Sequence, residues 1–117
     1  MNQVTKDHRR AMELADEGDI AKRQGNLEQA KRWYREALEY ERLAAEAVAP
    51  TLTLEPTRSV LHRSAASLAI DCEEWREAER LIAVALSGNP PEEIADELRD
   101  LLQQVYRSFR KAPVAAA

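Results

Sequence analysis

Residues 25–38 (GNLEQAKRWYREAL) return 48 positions later as residues 73–86 (EEWREAERLIAVAL). In each copy a large apolar residue, Leu27 or Trp75, is followed three positions on by Ala30 or Ala78. Four further on comes Tyr34 or Ile82, and then the pair Ala37-Leu38 or Ala85-Leu86. Steps of three and four place these residues on one face of a helix. The alanines let a second helix approach closely and the large side chains fill the space between its turns, so each copy reads as one arm of an antiparallel helix hairpin. A unit of that kind cannot bury its apolar face alone and is completed by stacking on its neighbours.

The flanking sequence supplies the other arms. Ala11, Leu14, Ala15, Gly18 and Ala21 recur at helical spacing and predict a first helix over residues 6–24. Gly25-Asn26 ends it, since Gly accepts a left-handed backbone and Asn26 can cap the next helix. That second helix is expected over 27–48, with Leu27, Ala30, Tyr34, Ala37 and Leu38 on its stripe and Glu41 spoiling it. Residues 49–56, with Pro50 and Pro56, read as an extended connector. Thr57 is the expected cap of a third helix bearing Leu61, Ala65, Leu68, Ala69 and Cys72. Trp75 opens a fourth, and Gly88-Asn89-Pro90-Pro91 separates it from a fifth over about 91–110. That last helix carries Ile94, Leu98, Leu101, Leu102, Val105 and Phe109 on one side, with acids at its start and Arg107, Arg110 and Lys111 at its end, as the helix dipole favours. Residues 112–117 lack apolar anchors and are expected to fray. The whole is read as one domain, 1–111.

The residues Leu14, Gly18, Gly25, Leu27, Ala30, Tyr34, Ala37 and Leu38 fall at the spacing of the tetratricopeptide repeat, which the chain resembles over about residues 10–90. The second copy matches at Ala66, Trp75, Ala78, Ile82, Ala85 and Pro90 and departs at Glu73, where the family prefers a turn glycine, which predicts a looser or longer turn. The run from Glu55 to Ile94 is similar to short bacterial repeat proteins of unassigned role. The resemblance implies an all-α fold of two antiparallel hairpins plus a C-terminal capping helix in a right-handed superhelix. It also implies a concave groove lined by the first helix of each hairpin that binds a partner protein or peptide. Carried over by position, that groove contains Met12, Ala15, Asp19, Lys22 and Arg23 from the first copy and Val60, Arg63, Ser67, Ile70 and Asp71 from the second, with Arg58 and His62 nearby. Arg63, with Arg58, His62 and Lys22, is the expected seat for a carboxylate or acidic segment through charge-assisted hydrogen bonds.

Composition narrows the alternatives. Of 117 residues 32% are charged, with 17 Lys and Arg against 21 Asp and Glu, so the net charge of −4 offers no field for nucleic acid. Clusters such as His8-Arg9-Arg10 are interleaved with acids and read as solvated helix faces. The one cysteine cannot close an internal disulfide, no apolar leader opens the chain, and no run approaches the roughly 20 apolar residues of a membrane span. A cytoplasmic protein, monomeric or weakly self-associating, is the expectation. His8 and His62 have no second ligand at metal spacing, and adjacent pairs such as Glu73-Glu74 do not face one another on a helix. Neither metal, cofactor nor catalytic residue is expected; a catalytic reading would need His62, Asp71 or Glu73 to converge in one polar pocket. The principal reading is an adaptor that binds through the groove. The alternative is a structural subunit acting by self-association, which an apolar patch on the fifth helix or at Trp33 would favour.

Overall fold

In the computed structural model, which describes residues 2–111, five α-helices succeed one another: α1 (Gln3–Arg23), α2 (Leu27–Glu46), α3 (Thr57–Asp71), α4 (Trp75–Leu86) and α5 (Glu92–Lys111). No strand occurs among the described residues. Each helix packs on the next, and α5 reaches back to α3 as well as α4. The first helix begins three residues earlier than its apolar pattern suggests because Asn2 accepts a hydrogen bond from the Thr5 amide at 2.9 Å. The second stops at Glu46, two residues short of expectation. The predicted fraying of residues 112–117 lies outside the described residues.

The small residues of α1 meet the large ones of α2. A Cβ built on Gly18 would lie 2.6 Å from the Tyr34 ring, so glycine is what lets that ring seat against α1. Leu14, Ala21, Ala30, Tyr34, Ala37 and Leu38 continue into Ala65, Ala66, Leu68, Ala69, Cys72, Ala78, Leu81, Ile82 and Ala85, and then into Ile94, Leu98 and Val105 of α5. One apolar core therefore runs through all five helices. A smaller cluster of Ala44, Ala45 and Leu61, packed by Val4 and Val48, closes the opposite end of α1 and α2. Trp33, Tyr40 and Trp75 are half-buried against the main core.

Three expectations need correction. Gly25 has φ 81° and Glu73 φ 64°, so the two hairpin turns are of one kind. Amides 25 and 26 bond to carbonyls 22 and 21 at 3.0 and 2.9 Å, and amides 73 and 74 bond to carbonyls 70 and 69 at 3.0 and 2.7 Å. Glu73 thus adopts the left-handed backbone that glycine takes in the first hairpin, and the second turn is neither looser nor longer. The connector is not simply extended: Leu52–Leu54 form a 3₁₀ turn, with Thr51 and Glu55 extended on either side. Thr57 does not cap α3. It is the first helical residue, after Pro56, and the Glu55 carboxylate supplies the capping, accepting from the Ser59 amide at 3.0 Å and its hydroxyl at 2.7 Å.

Glu41 does not spoil its stripe in the way its charge suggests. It is fully buried, and the His8 ring nitrogen Nδ1 lies 2.9 Å from both of its carboxylate oxygens. A buried carboxylate is tolerated where a partner satisfies it, and the half-buried His8 of α1 does so from across the hairpin.

Candidate functional site

Helical geometry sets Arg63, Ser67 and Asp71 four residues apart on one stripe of α3, each at least partly accessible. At its N-terminal end this stripe borders α5. A cavity of about 330 Å³ opens there, lined by Arg63, Ser67, Glu97, Asp100 and Leu101. At its C-terminal end the stripe meets α1 and α2 in a smaller cavity of about 100 Å³, lined by Lys22, Leu27, Ala30, Lys31, Tyr34 and Asp71. The α3 stripe therefore joins two concavities, one against α5 and one against α1 and α2.

The electrostatics of this face differ from those anticipated. Arg58 is 6% exposed and His62 2%, so both belong to the interior and not to the groove. The guanidinium of Arg58 lies against Gly88, where a built Cβ would come 2.5 Å from Nη1, and that nitrogen has no hydrogen-bond partner among the described residues. His62 donates from Nδ1 to the Arg58 carbonyl at 2.8 Å, and desolvation by burial is the main cause holding its pKa below the ordinary imidazole value. Arg63 stays on the face but is ion-paired with Glu97 across the cavity. The carboxylate seat formed by Arg63, Arg58, His62 and Lys22 is thus not assembled. Two of its members are buried and a third is already paired.

Carboxylates occupy the face in their place. Asp19 is exposed and accepts a hydrogen bond from the Tyr34 hydroxyl at 2.6 Å. Burial of the phenol, and then that bond, raise the Tyr34 pKa well above its usual value. The surface of Asp71 is exposed, yet protein mass around its carboxyl desolvates it and raises its pKa; Lys22 counteracts this and Asp19 reinforces it. Lys31 is drawn to Glu73 at 3.0 Å, a hydrogen bond that raises its pKa, and so serves the hairpin junction. Met12 is half-buried, and Lys22 and Arg23 are exposed in the last turn of α1. The sequence reading missed Glu97, Asp100 and Leu101. Their presence at the cleft depends on how α5 is rotated against α3, which its apolar stripe defines only once both helices are in place.

A separate cavity of about 460 Å³ lies between α1 and α2, lined by Arg10, Glu13, Leu14, Asp16, Glu17 and Trp33. Its rim is mixed in charge and none of the groove residues takes part. His62, Asp71 and Glu73 do not converge: His62 is buried on its own helix carbonyl, whereas Asp71 and Glu73 are exposed. Among the described residues no group of three His, Cys, Asp or Glu side chains gathers at metal-binding distance. The thiol of Cys72 is buried, and desolvation pushes its pKa up to about 11, which leaves it largely protonated at neutral pH. Among the described residues no helix is long and apolar enough to cross a membrane. Compared with protein-family models, with curated proteins and with solved structures, the chain has no match.

Proposed function

We propose that this protein is an interaction module of the tetratricopeptide type, in which α1, α3 and α5 form the inner wall and hold a segment of a partner protein. The observation that carries this reading is the α3 stripe Arg63, Ser67 and Asp71, which joins a cleft against α5 to a second one against α1 and α2. The sequence resemblance supplies the α1 and α3 parts of that wall by position.

The chemistry of the face favours a basic partner segment. Asp71, Glu97 and Asp100 line the two clefts beside Lys22, Lys31 and Arg63, but Arg63 is already paired with Glu97 and Lys31 with Glu73, which leaves Asp71 and Asp100, with Asp19 at the Tyr34 hydroxyl, against Lys22. A Lys or Arg of the partner placed beside Asp71 would stabilise its charged form, which desolvation and Asp19 now disfavour. Leu101 in the larger cleft and Leu27 with Ala30 in the smaller offer apolar contact for the stem of such a side chain or for a neighbouring apolar residue. Surfaces of this kind derive affinity from a few anchors and specificity from charge placement.

The test is selection from a random peptide display library on the immobilised chain, with counter-selection on a Ser67→Arg/Asp71→Lys variant of unchanged helicity. Enrichment of basic peptides that bind the wild type and not the variant is the expected result. Peptides that bind both proteins equally, or no enrichment at all, would contradict the reading.

A further inference from the structure

The outer face of α5 carries a charge pattern of which the peptide-binding reading uses only Asp100. Ile94, Leu98 and Val105 turn one side of this helix into the core. The opposite side presents Glu93, Asp96, Asp100, Gln103, Arg107 and Arg110, all six exposed. Their spacing is three, four, three, four, three, the seam spacing at which two helices lie along one another in a coiled coil. The seam is also symmetric in sign. Reading inward from its two ends, Glu93 stands against Arg110, Asp96 against Arg107, and Asp100 against Gln103.

We infer that this face is the interface for a second copy of the same chain, with the two α5 helices antiparallel about a two-fold axis midway between Asp100 and Gln103. In that arrangement Glu93 meets Arg110 of the second copy, Asp96 meets Arg107, and the Asp100 carboxylate accepts from the Gln103 amide. The two-fold axis repeats each contact. A parallel pair would bring acid onto acid and base onto base, so the pattern selects the antiparallel one. A two-fold interface must be self-complementary, and a seam whose second half carries the opposite charges of its first meets that requirement. Within the chain the seam is nearly free: Asp96 bonds to Arg99 at 2.8 Å, whereas Glu93, Asp100, Gln103, Arg107 and Arg110 make no ion pair or side-chain hydrogen bond with another described residue. The face is charged and not apolar, so the pair is weak, exchanges rapidly and depends on salt.

The test is sedimentation velocity at about 0.5 mM chain and about 20 mM salt, where charges act over about 20 Å, repeated at about 0.5 M salt. The wild type is expected to self-associate at low salt and to lose that association about tenfold or more at high salt. Two charge-reversed chains sharpen the test. Arg107→Glu/Arg110→Glu makes the seam acidic at both ends, and Glu93→Arg/Asp96→Arg leaves it basic at both ends. Each alone stays monomeric. Their equimolar mixture forms a one-to-one dimer, and a chain bearing all four substitutions pairs with itself again. All six positions are solvent-exposed, and circular dichroism of each variant checks that α5 is retained. A wild type that stays monomeric at low salt, variants that self-associate like the wild type, or a mixture that does not pair would each overturn the inference. None of the four substituted residues lines the α3–α5 cleft, so the charge-reversed chains keep the lining that the peptide selection probes and the two readings can fail separately.

Discussion

Glu73 is the residue at which local geometry and side-chain preference conflict most clearly. Its φ of 64° is a conformation that costs a residue with a Cβ roughly 1–2 kcal/mol, and its counterpart Gly25 adopts the same region without that cost. Replacing Glu73 by Gly is expected to raise unfolding free energy by about 0.5–1 kcal/mol in urea titrations. Glu73→Ala, which loses the Lys31 contact and keeps the strained backbone, should not. His62 governs a second prediction. Burial holds its pKa below 6.5, so under mildly acidic conditions the folded state binds fewer protons than the unfolded one. Its stabilising contribution is complete above the unfolded value and is lost as pH falls through 6.5 toward the folded value. The urea midpoint should therefore drop between about pH 7.5 and about pH 5.5. His62→Leu, which copies Leu14 at the equivalent position of the first repeat, should make that slope shallower; an unchanged slope would remove His62 as its cause. Asp71, with its raised pKa, acts in the opposite sense as its own titration range is entered.

At the scale of elements, α5 is fastened by a short list of side chains. Leu98 and Val105 are fully buried, with Ile94 and Ala95 beside them. Leu98→Ala removes the centre of that contact and should cost about 3 kcal/mol. Hydrogen exchange should show α5 amides losing protection before those of α1 and α2, because α5 packs chiefly on α3 and α4. An equal loss across all five helices would instead mean that α5 unfolds only with the whole. The five helices were legible in the sequence because each carries its own apolar period; α1, α2 and α4 are also followed by a Gly, Pro or Asn, whereas the end of α3 was placed by the alignment of Glu73 with Gly25. The connector was not. Its Thr-Leu pairs fit an extended strand as well as a 3₁₀ turn, and the turn is held by local bonds that the residue pattern does not announce, from the Leu54 amide to the Thr51 carbonyl at 3.0 Å and from the Glu55 amide to the Leu52 carbonyl at 3.1 Å. Pairings between elements were also hidden. Glu41 reads as a flaw in a stripe until His8, 33 residues away, is placed above it, and Arg63 reads as a free donor until Glu97 arrives from α5.

The whole molecule measures 48 × 30 × 20 Å with a radius of gyration of 14.7 Å, longer than the roughly 13 Å expected of a rounded chain this size. That elongation comes from helices added side by side in chain order. Charged side chains reinforce the succession: Arg80 bridges from Glu77 at 2.6 Å to Glu46 at 3.1 Å, linking α4 to α2, and Arg35 reaches Glu74 at 3.4 Å. Hydrogen bonding to Arg80 lowers the Glu77 pKa, so this link weakens only as pH falls below the ordinary carboxylate range. The sequence was sufficient to locate the α3 stripe on a candidate face, because Arg63, Ser67 and Asp71 are spaced by helical turns. The sign of that face was not legible, since it depends on which arginines are buried. Occupation of this face by a partner protein is tested most directly by placing a photo-crosslinking residue at Ser67, and separately at the exposed Glu36 of α2, in cells that express the protein natively. A covalent adduct with another protein is predicted from position 67 and none from position 36. No adduct from position 67, or equal adducts from both, would contradict that occupation.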